Sequence, residues 1–337
     1  MKGLKKLVNV TLAAVYVLIL VGATVRSTGA GMGCPDWPKC FGKWVPPVSM
    51  AGLPENYKQV YAAYREKKNQ RFADFLESIG MKTTAHQLRT DESIRKEADF
   101  NAVKTWTEYV NRVIGMVTGL LVVAVFVRSL VHGSVQLMWL ASLALAVILI
   151  TGWFGSIVVS TNLTPWTVTL HMLLAFALLA LLVQMQVKLS NPPAHAAGNL
   201  LVWMGVACLV TVVQVVLGTQ VRESVDMLAQ SGMNRDTWID KLGAPFLVHR
   251  SFSWVALGVN AFIVWKLYTQ KPWRRWAMLL GALVVFPVLT GALMAWFAVP
   301  AFLQPVHLLL AALLFGLQWH IWQQMQYAST TVKTHVA

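Results

Sequence analysis

Charged side chains are scarce in this sequence: Asp, Glu, Lys and Arg make up 12% of its 337 residues, against about a quarter in an average soluble domain. Hydrophobic residues make up 56%, and the mean hydropathy is +0.56. A soluble fold of this composition would expose large apolar patches to water, so an ordinary soluble domain is excluded. The sequence also lacks a nucleic-acid-binding motif, so its net charge of +14 does not indicate a nucleic acid partner.

The apolar residues are concentrated in long runs almost without charge. Such runs are long enough to cross a hydrocarbon layer of about 30 Å as helices, and helices are the form that satisfies the backbone in lipid. The predicted spans are about 7–26, 108–131, 136–159, 166–187, 199–219, 246–267, 276–297 and 304–325. The predicted fold class is therefore an all-α integral membrane protein with eight transmembrane helices.

Basic residues at the ends of the runs predict the orientation. Lys2, Lys5 and Lys6 precede the first span, and Lys271 and Arg274 lie between the sixth and seventh. Because basic residues are enriched in cytoplasmic loops, both termini are predicted to face the cytoplasm. The first loop, about 27–105, is also basic, but long loops translocate largely regardless of charge, so it is placed outside.

One stretch of this first loop, from Asn56 to Gly80, has the apolar periodicity of a helix. Its periodic residues are Val60, Tyr64, Phe72, Phe75, Leu76 and Ile79. We interpret it as a helical cap on the outer face, either a passive solvated one or a surface that docks a partner.

The two halves of the sequence repeat the same features in the same order. The matches are VGATVR (21–26) with LGTQVR (217–222), Asn111-Arg112 with His249-Arg250, Thr151-Gly152 with Thr290-Gly291, and His171 after Pro165 with His307 after Pro305. Each half contains an even number of spans, so the halves have the same orientation. We expect two tandem four-helix bundles, 1–190 and 191–337, related by a pseudo-two-fold axis along the membrane normal.

Three histidines lie about one turn inside the outer ends of their predicted spans: His171, His249 and His307. Histidines from facing helices at matched depth can ligate haem iron, and His249 and His307 could do so from both sides. The alternative for a membrane histidine is a helix–helix hydrogen bond.

The first half departs from this histidine pattern. Asn111 stands where the second half has His249, and Glu108 stands where it has Phe246. A single imidazole leaves an iron coordination position open for chemistry, and a carboxylate beside it could accept a proton or stabilise positive charge. Glu108 could also pair with Arg112 one turn later, which would not exclude a catalytic role.

Four arginines recur at the outer helix ends: Arg26, Arg112, Arg222 and Arg250. They could bind haem propionates, since guanidinium and carboxylate form bidentate pairs. The alternative is that they snorkel outward to the interface.

Cysteine is rare, and two of the three cysteines lie in one short segment, GCPDWPKCFG. Cys34 and Cys40 can oxidise outside the cytoplasm and form a tight disulfide loop, structural or redox-labile. A metal pair is less favoured, because no further Cys or His lies nearby in sequence. Cys208 is interpreted as a packing residue.

These segments resemble those of the haem A synthase family, across all eight predicted spans. The resemblance is carried by VGATVRSTGAGMGCPDWPKCFG, EYVNR, TLH, VHR and PVH. It implies two four-helix halves, a haem b held by His249 and His307, and haem O as the substrate of the first half. The implied reaction oxidises the C8 methyl group of haem O to a formyl group through hydroxylated intermediates. The family's glutamate, fourth-span histidine and cysteine pair correspond to Glu108, His171, Cys34 and Cys40.

One departure from the family pattern affects the substrate site. The family commonly has histidine at Asn111, in an E-x-x-H-R pattern. Either His171 alone ligates the substrate haem, or Asn111 contacts the iron through water.

The resemblance also implies a setting: cytochrome oxidase maturation in a bacterial cytoplasmic membrane. Haem O synthase would be the upstream donor, and an external or quinone-linked carrier the electron partner; self-association is left open. The alternative function is a non-catalytic membrane b-type cytochrome passing electrons from quinol to an external acceptor. The acid in one half only, Glu108, argues against it.

Overall fold

The regular structure of this protein is helical. A computed structural model describes residues 2–91, 94, 97–132, 134–161, 165–190 and 199–336. In this part of the chain there are helices and short turns but no strand, which confirms the all-α fold class. The predicted boundary between the halves adjoins residues 191–198, which lie outside the described residues.

The α-helices, in chain order, are α1 Lys2–Ser27, α2 Tyr57–Ser78, α3 Lys82–Thr90, α4 Ala102–His132, α5 Val135–Ser160, α6 Pro165–Lys188, α7 Leu200–Gln230, α8 Trp238–Lys241, α9 Gly243–Tyr268, α10 Arg274–Trp296 and α11 Leu303–Val336. Across the described ranges, eight helices are long and apolar enough to cross a membrane: α1, α4, α5, α6, α7, α9, α10 and α11. Their number is the predicted one, and the protein is a multi-pass membrane protein.

Several helices are longer than the predicted spans. The helix α7 runs to Gln230 instead of ending near residue 219, and α1 begins at Lys2 instead of near residue 7. Hydropathy detects only the apolar part of a helix. The polar end of α7 continues as helix, with Arg222 pairing with Asp226 one turn on.

The spanning helices contact one another in two sets of four. In the first set, contacts join α1 to α4, α4 to α5, α5 to α6 and α6 to α1. In the second, they join α7 to α9, α9 to α10, α10 to α11 and α11 to α7. Contacts between the sets run through α1, α6, α7 and α11. This pattern favours the tandem bundle arrangement, whose pseudo-two-fold axis stays a prediction.

The helices α1 and α11 approach closely where the two sets meet. A Cβ added at Gly316 of α11 would lie 2.0 Å from the Tyr16 hydroxyl oxygen of α1, so any larger residue there would have to displace the Tyr16 side chain. Phe176 and Phe315 also meet at this junction, with ring centroids 5.1 Å apart. Both belong to a buried apolar cluster that crosses between the two sets.

The helix α2 of the first loop packs against the end of α5. Lys68 Nζ donates to the Ser156 carbonyl at 3.0 Å, and Asn69 Nδ2 donates to the Ser160 carbonyl at 2.8 Å. The predicted helix between Asn56 and Gly80 is therefore confirmed. Burial, together with the nearby positive charge of Arg112, lowers the pKa of Lys68 to about 8.

The predicted apolar face of α2 is only partly the buried one. Of the periodic apolar residues, Phe72 and Leu76 are buried, whereas Val60, Tyr64, Phe75 and Ile79 are exposed. The buried face also includes the polar side chains of Arg65 and Asn69. These find partners far away in sequence, which a hydropathy pattern does not register.

A buried ion pair secures α2 to the segment that follows α3. Arg65 Nη2 lies 2.6 Å from Glu97 Oε2, with side chains 1% and 3% exposed. Burial lowers the pKa of Arg65 and raises the pKa of Glu97, and each partner partly offsets the shift of the other. Removal of either side chain would therefore leave the charge of the other buried without a partner.

We predict that Glu97→Gln destabilises the first loop by about 3–5 kcal/mol, because it leaves the Arg65 charge buried without its carboxylate. Hydrogen exchange of the α2 amides measures this change. The matched control is Asp99→Asn, which removes the exposed ion pair with Lys58 and should change exchange little. Equal exchange in the two variants would contradict the role assigned to Glu97.

Candidate functional site

The three predicted histidines lie toward the end of the bundle that carries residues 28–101, which we call the loop side. His249 of α9 and His307 of α11 face each other, with ring centroids 6.4 Å apart and ring planes at 71°. His171 lies on α6 in the other set of helices. The structure thus brings His249 and His307 together, as predicted.

The spacing of these two rings fits a shared metal. Two imidazoles on one metal have nitrogens about 2 Å from it, which places the ring centres roughly 6 Å apart. The described residues contain no group of three or more His, Cys, Asp or Glu side chains placed to hold a bare ion. Haem iron needs only axial ligands from the protein, so two histidines suffice.

Each of the three imidazoles lies against a glycine of the neighbouring helix. An added Cβ would lie 3.2 Å from His249 Cε1 at Gly218, 3.4 Å from His307 Cε1 at Gly291, and 3.3 Å from His171 Cε1 at Gly155. Asn111 repeats the arrangement, since a Cβ at Gly22 would lie 3.7 Å from its Oδ1. The missing side chains leave room for the rings inside the bundles.

The glycine beside His171 corrects one of the sequence matches. Gly152 was paired with Gly291, but a Cβ at Gly152 meets nothing within 4 Å. Gly155, one turn later, contacts His171 as Gly291 contacts His307. Spatially, Gly155 is therefore the counterpart of Gly291, and Phe154 takes the place of Thr290.

Several polar atoms at this site are buried without a partner. Thr290 Oγ1 lies 2.9 Å from His307 Nδ1 and orients that ring. By contrast, within the described part of the chain, His171 Nδ1, His249 Nδ1 and Asn111 Oδ1 are buried and make no hydrogen bond. Such atoms are costly to bury, and a bound ligand or water is their usual partner.

The ion pair between Glu108 and Arg112, which the sequence left as an alternative, is present. Glu108 Oε1 accepts from Arg112 Nε at 3.1 Å, and its Oε2 accepts from the Cys34 backbone N–H at 2.7 Å. Arg112 also donates to the carbonyls of Cys34, Asp36 and Lys39. The pair therefore fastens the cysteine loop to α4, and the Glu108 side chain is only 4% exposed.

The cysteine loop lies directly on the start of α4. The sulfurs of Cys34 and Cys40 are at disulfide distance, with Cα atoms 4.9 Å apart. Thr105 Oγ1 donates to the Gly33 carbonyl at 2.9 Å. A Cβ at Gly33 would lie 2.5 Å from the Lys104 carbonyl oxygen, so glycine is required for this approach.

Two of the predicted arginines share one acid that the sequence reasoning missed. Arg26 Nη2 lies 3.0 Å from Asp226 Oδ2, and Arg222 pairs with Asp226 Oδ1. Arg222 also donates to the Arg26 carbonyl, which joins α7 to α1. The i,i+4 spacing of Arg222 and Asp226 is a signal that could have revealed this pair.

The fourth arginine has a different neighbour. Arg250 is exposed and lies over the Phe246 ring, 5.7 Å from its centroid. Phe246 and Arg250 match Glu108 and Arg112, so the same helix position holds an ion pair in one set and a cation–π contact in the other. Binding of haem propionates by Arg26, Arg112, Arg222 or Arg250 stays a prediction.

Comparison with known proteins identifies the family. The model of the COX15-CtaA family, described as cytochrome oxidase assembly protein, matches residues 5–319. The chain belongs to this family. The match begins in α1 and ends in α11 and therefore includes every spanning helix.

Two curated relatives carry the same name. The chain is 26% identical over 268 residues to the heme A synthase of Shewanella oneidensis, covering 76% of this chain and 70% of that protein. It is 46% identical over 46 residues to the heme A synthase of Shouchella clausii, covering 13% and 15% of the two chains. The second match is local, whereas the first extends over most of both proteins.

We predict that Gly218→Ala lowers the haem content of the purified protein, because the new methyl group would lie 3.2 Å from His249 Cε1 and displace the ring. Gly258→Ala is the matched control, since a Cβ added at Gly258 meets nothing within 4 Å. Haem is measured per protein as the pyridine complex. Equal haem content in both variants would contradict the role of this glycine.

Proposed function

We propose that this family member is a haem A synthase, which oxidises the C8 methyl group of haem O to a formyl group through hydroxylated intermediates. The observation that carries the proposal is the facing pair of His249 and His307 in a member of this family. The heme A synthase names of the relatives support the same reaction class.

In this proposal the second set of helices holds a resident haem b. His249 and His307 would hold its iron, and Thr290 orients His307. When bound, a bis-histidine haem supplies electron transfer, because both axial positions are occupied. The electron partner of the protein would be an external or quinone-linked carrier.

The first set receives haem O, supplied by a haem O synthase. His171 would ligate the substrate iron, and Asn111, whose Oδ1 is buried without a hydrogen bond, would line the same site. Glu108 lies one turn from Asn111 on the same helix face and moves a proton or stabilises positive charge at the oxidised carbon. Arg112 holds the Glu108 carboxylate in place. The site lies on the external side of a bacterial cytoplasmic membrane, with both termini in the cytoplasm.

We expect His249→Ala and His307→Ala each to lose most of the b-type haem, because each removes one axial ligand. His171→Ala is the control and should keep this haem, since His171 belongs to the other set of helices. Absorption spectra of the reduced proteins measure the content. If His249→Ala and His307→Ala keep normal spectra, the haem b assignment is wrong.

The reaction is tested by co-expression with a haem O synthase and chromatography of the extracted haems. The unchanged protein should yield haem A. Glu108→Gln should accumulate haem O or a hydroxylated intermediate while keeping its haem b, which shows that the protein is folded.

The outcomes of this experiment separate the two candidate functions. Haem O alone, beside stable b-type haem in the unchanged protein, would indicate the non-catalytic cytochrome and overturn the proposal. Normal haem A production by Glu108→Gln would be consistent with a haem A synthase but would contradict the role given to Glu108. Glu223→Gln, an acid that follows Arg222 on α7, is the matched control and should yield haem A.

A further inference from the structure

Four apolar side chains on one side of helix α2 are about half exposed in the described chain. Val60, Tyr64, Phe75 and Ile79 are 47%, 44%, 49% and 56% exposed. At 3.6 residues per turn these four positions fall on one side of the helix, next to the buried side on which Phe72 and Leu76 pack toward α5. Tyr57, on the same side, is only 4% exposed, so the exposed face does not include the N-terminal end of α2.

The helix α5, on which α2 packs, has an exposed apolar stripe of its own. Its outward residues Trp139, Leu143, Ile150 and Trp153 are 71%, 52%, 47% and 52% exposed. They recur at helical spacing on a membrane-spanning helix, so this apolar stripe faces lipid. It continues upward to Trp153, seven residues before the helix ends at Ser160.

One turn beyond Trp153 the stripe becomes buried, and α2 is what buries it. Ile157 is only 3% exposed and belongs to one apolar cluster with Phe72 and Leu76 of α2. Phe75 lies next to this point, with its ring centroid 6.5 Å from that of Trp153. The exposed face of α2 is therefore continuous with the lipid-facing stripe of α5.

The opposite side of α2 is polar. Glu66, Gln70, Asp74 and Glu77 lie there, and Arg89 of α3 lies 2.7 Å from both Asp74 and Glu77. Lys67 and Arg71 lie among the exposed apolar residues, so α2 is only weakly amphipathic, and its contact with the lipid-facing stripe of α5 is what points to the membrane interface.

We propose that the C-terminal half of α2 lies in the lipid interface on the loop side of the membrane. Phe75, Ile79 and Met81, which is 41% exposed, face the boundary between headgroups and acyl chains. Arg71 is exposed on the same side of the helix, where it can reach a lipid phosphate. The partner of this face is the bilayer itself, because the face extends a surface that already meets lipid.

This placement gives the first loop a second attachment. Lys68 and Asn69 fasten α2 to carbonyls near the end of α5, and the bilayer holds its C-terminal half. Together they fix α2 beside the end of the first set of helices. The inference depends on the spanning helices and is independent of the proposed reaction.

The test uses single cysteine variants of the full chain in vesicles of phosphatidylcholine and phosphatidylglycerol. Phe75→Cys and Ile79→Cys carry a nitroxide label, and collisions with oxygen, which enters lipid, are compared with collisions with a water-soluble nickel complex. Leu143→Cys is the lipid reference and Gln70→Cys the water reference. Labelling of the unsubstituted protein gives the background from Cys34, Cys40 and the buried Cys208.

We expect the oxygen-to-nickel ratio at Phe75→Cys and Ile79→Cys to be several-fold higher than at Gln70→Cys, and to approach that at Leu143→Cys. A ratio like that of Gln70→Cys would place the face in water and overturn the proposal. Protection from both reagents would indicate a protein partner and would also overturn it. Spin–spin broadening that disappears on dilution with unlabelled protein would then identify a second copy.

Discussion

Close contact between an imidazole ring and a glycine is the feature on which the candidate site depends. His249, His307 and His171 each lie within about 3.5 Å of where a glycine Cβ would be on the neighbouring helix. In lipid, helices associate largely through such small-residue contacts, because apolar side chains gain little by leaving apolar solvent. The same glycines therefore bring the helices together and leave space for the rings. The position of each histidine is fixed by its neighbour as much as by its own helix.

The two sets of helices place different residues at the same position, an acid in the first set and an aromatic residue in the second. In the first, Glu108 and Arg112 neutralise each other and bind the backbone of the cysteine loop. In the second, Phe246 and Arg250 stand at the matching positions without a carboxylate. A buried carboxylate is expensive in a membrane protein and is commonly kept for a function. The buried carboxylate is therefore the feature that distinguishes the first set of helices from the second.

The sequence predicted those features that repeat locally or by hydropathy. The eight spans, the helix in the first loop, the Glu108–Arg112 pair and the meeting of His249 with His307 are all present. Features that depend on distant partners were not predicted. Asp226 of α7 forms an ion pair with Arg26 of α1. The buried Arg65 forms an ion pair with Glu97, which lies 32 residues later in the chain. The sequence repeat matches Gly152 with Gly291, whereas Gly155 is the residue that contacts His171. A dipeptide match cannot show which turn of a helix faces a neighbour.

The contact between α1 and α11 has a consequence for how the chain is made. These are the first and last spanning helices, and Tyr16 of α1 lies against Gly316 of α11. A chain emerging from the ribosome inserts α1 long before α11 exists. Until α11 is inserted, the side of α1 that faces it is covered by lipid. The contact between the two helices therefore forms late in synthesis, and a chain that stops short of α11 would leave the second set of helices incomplete.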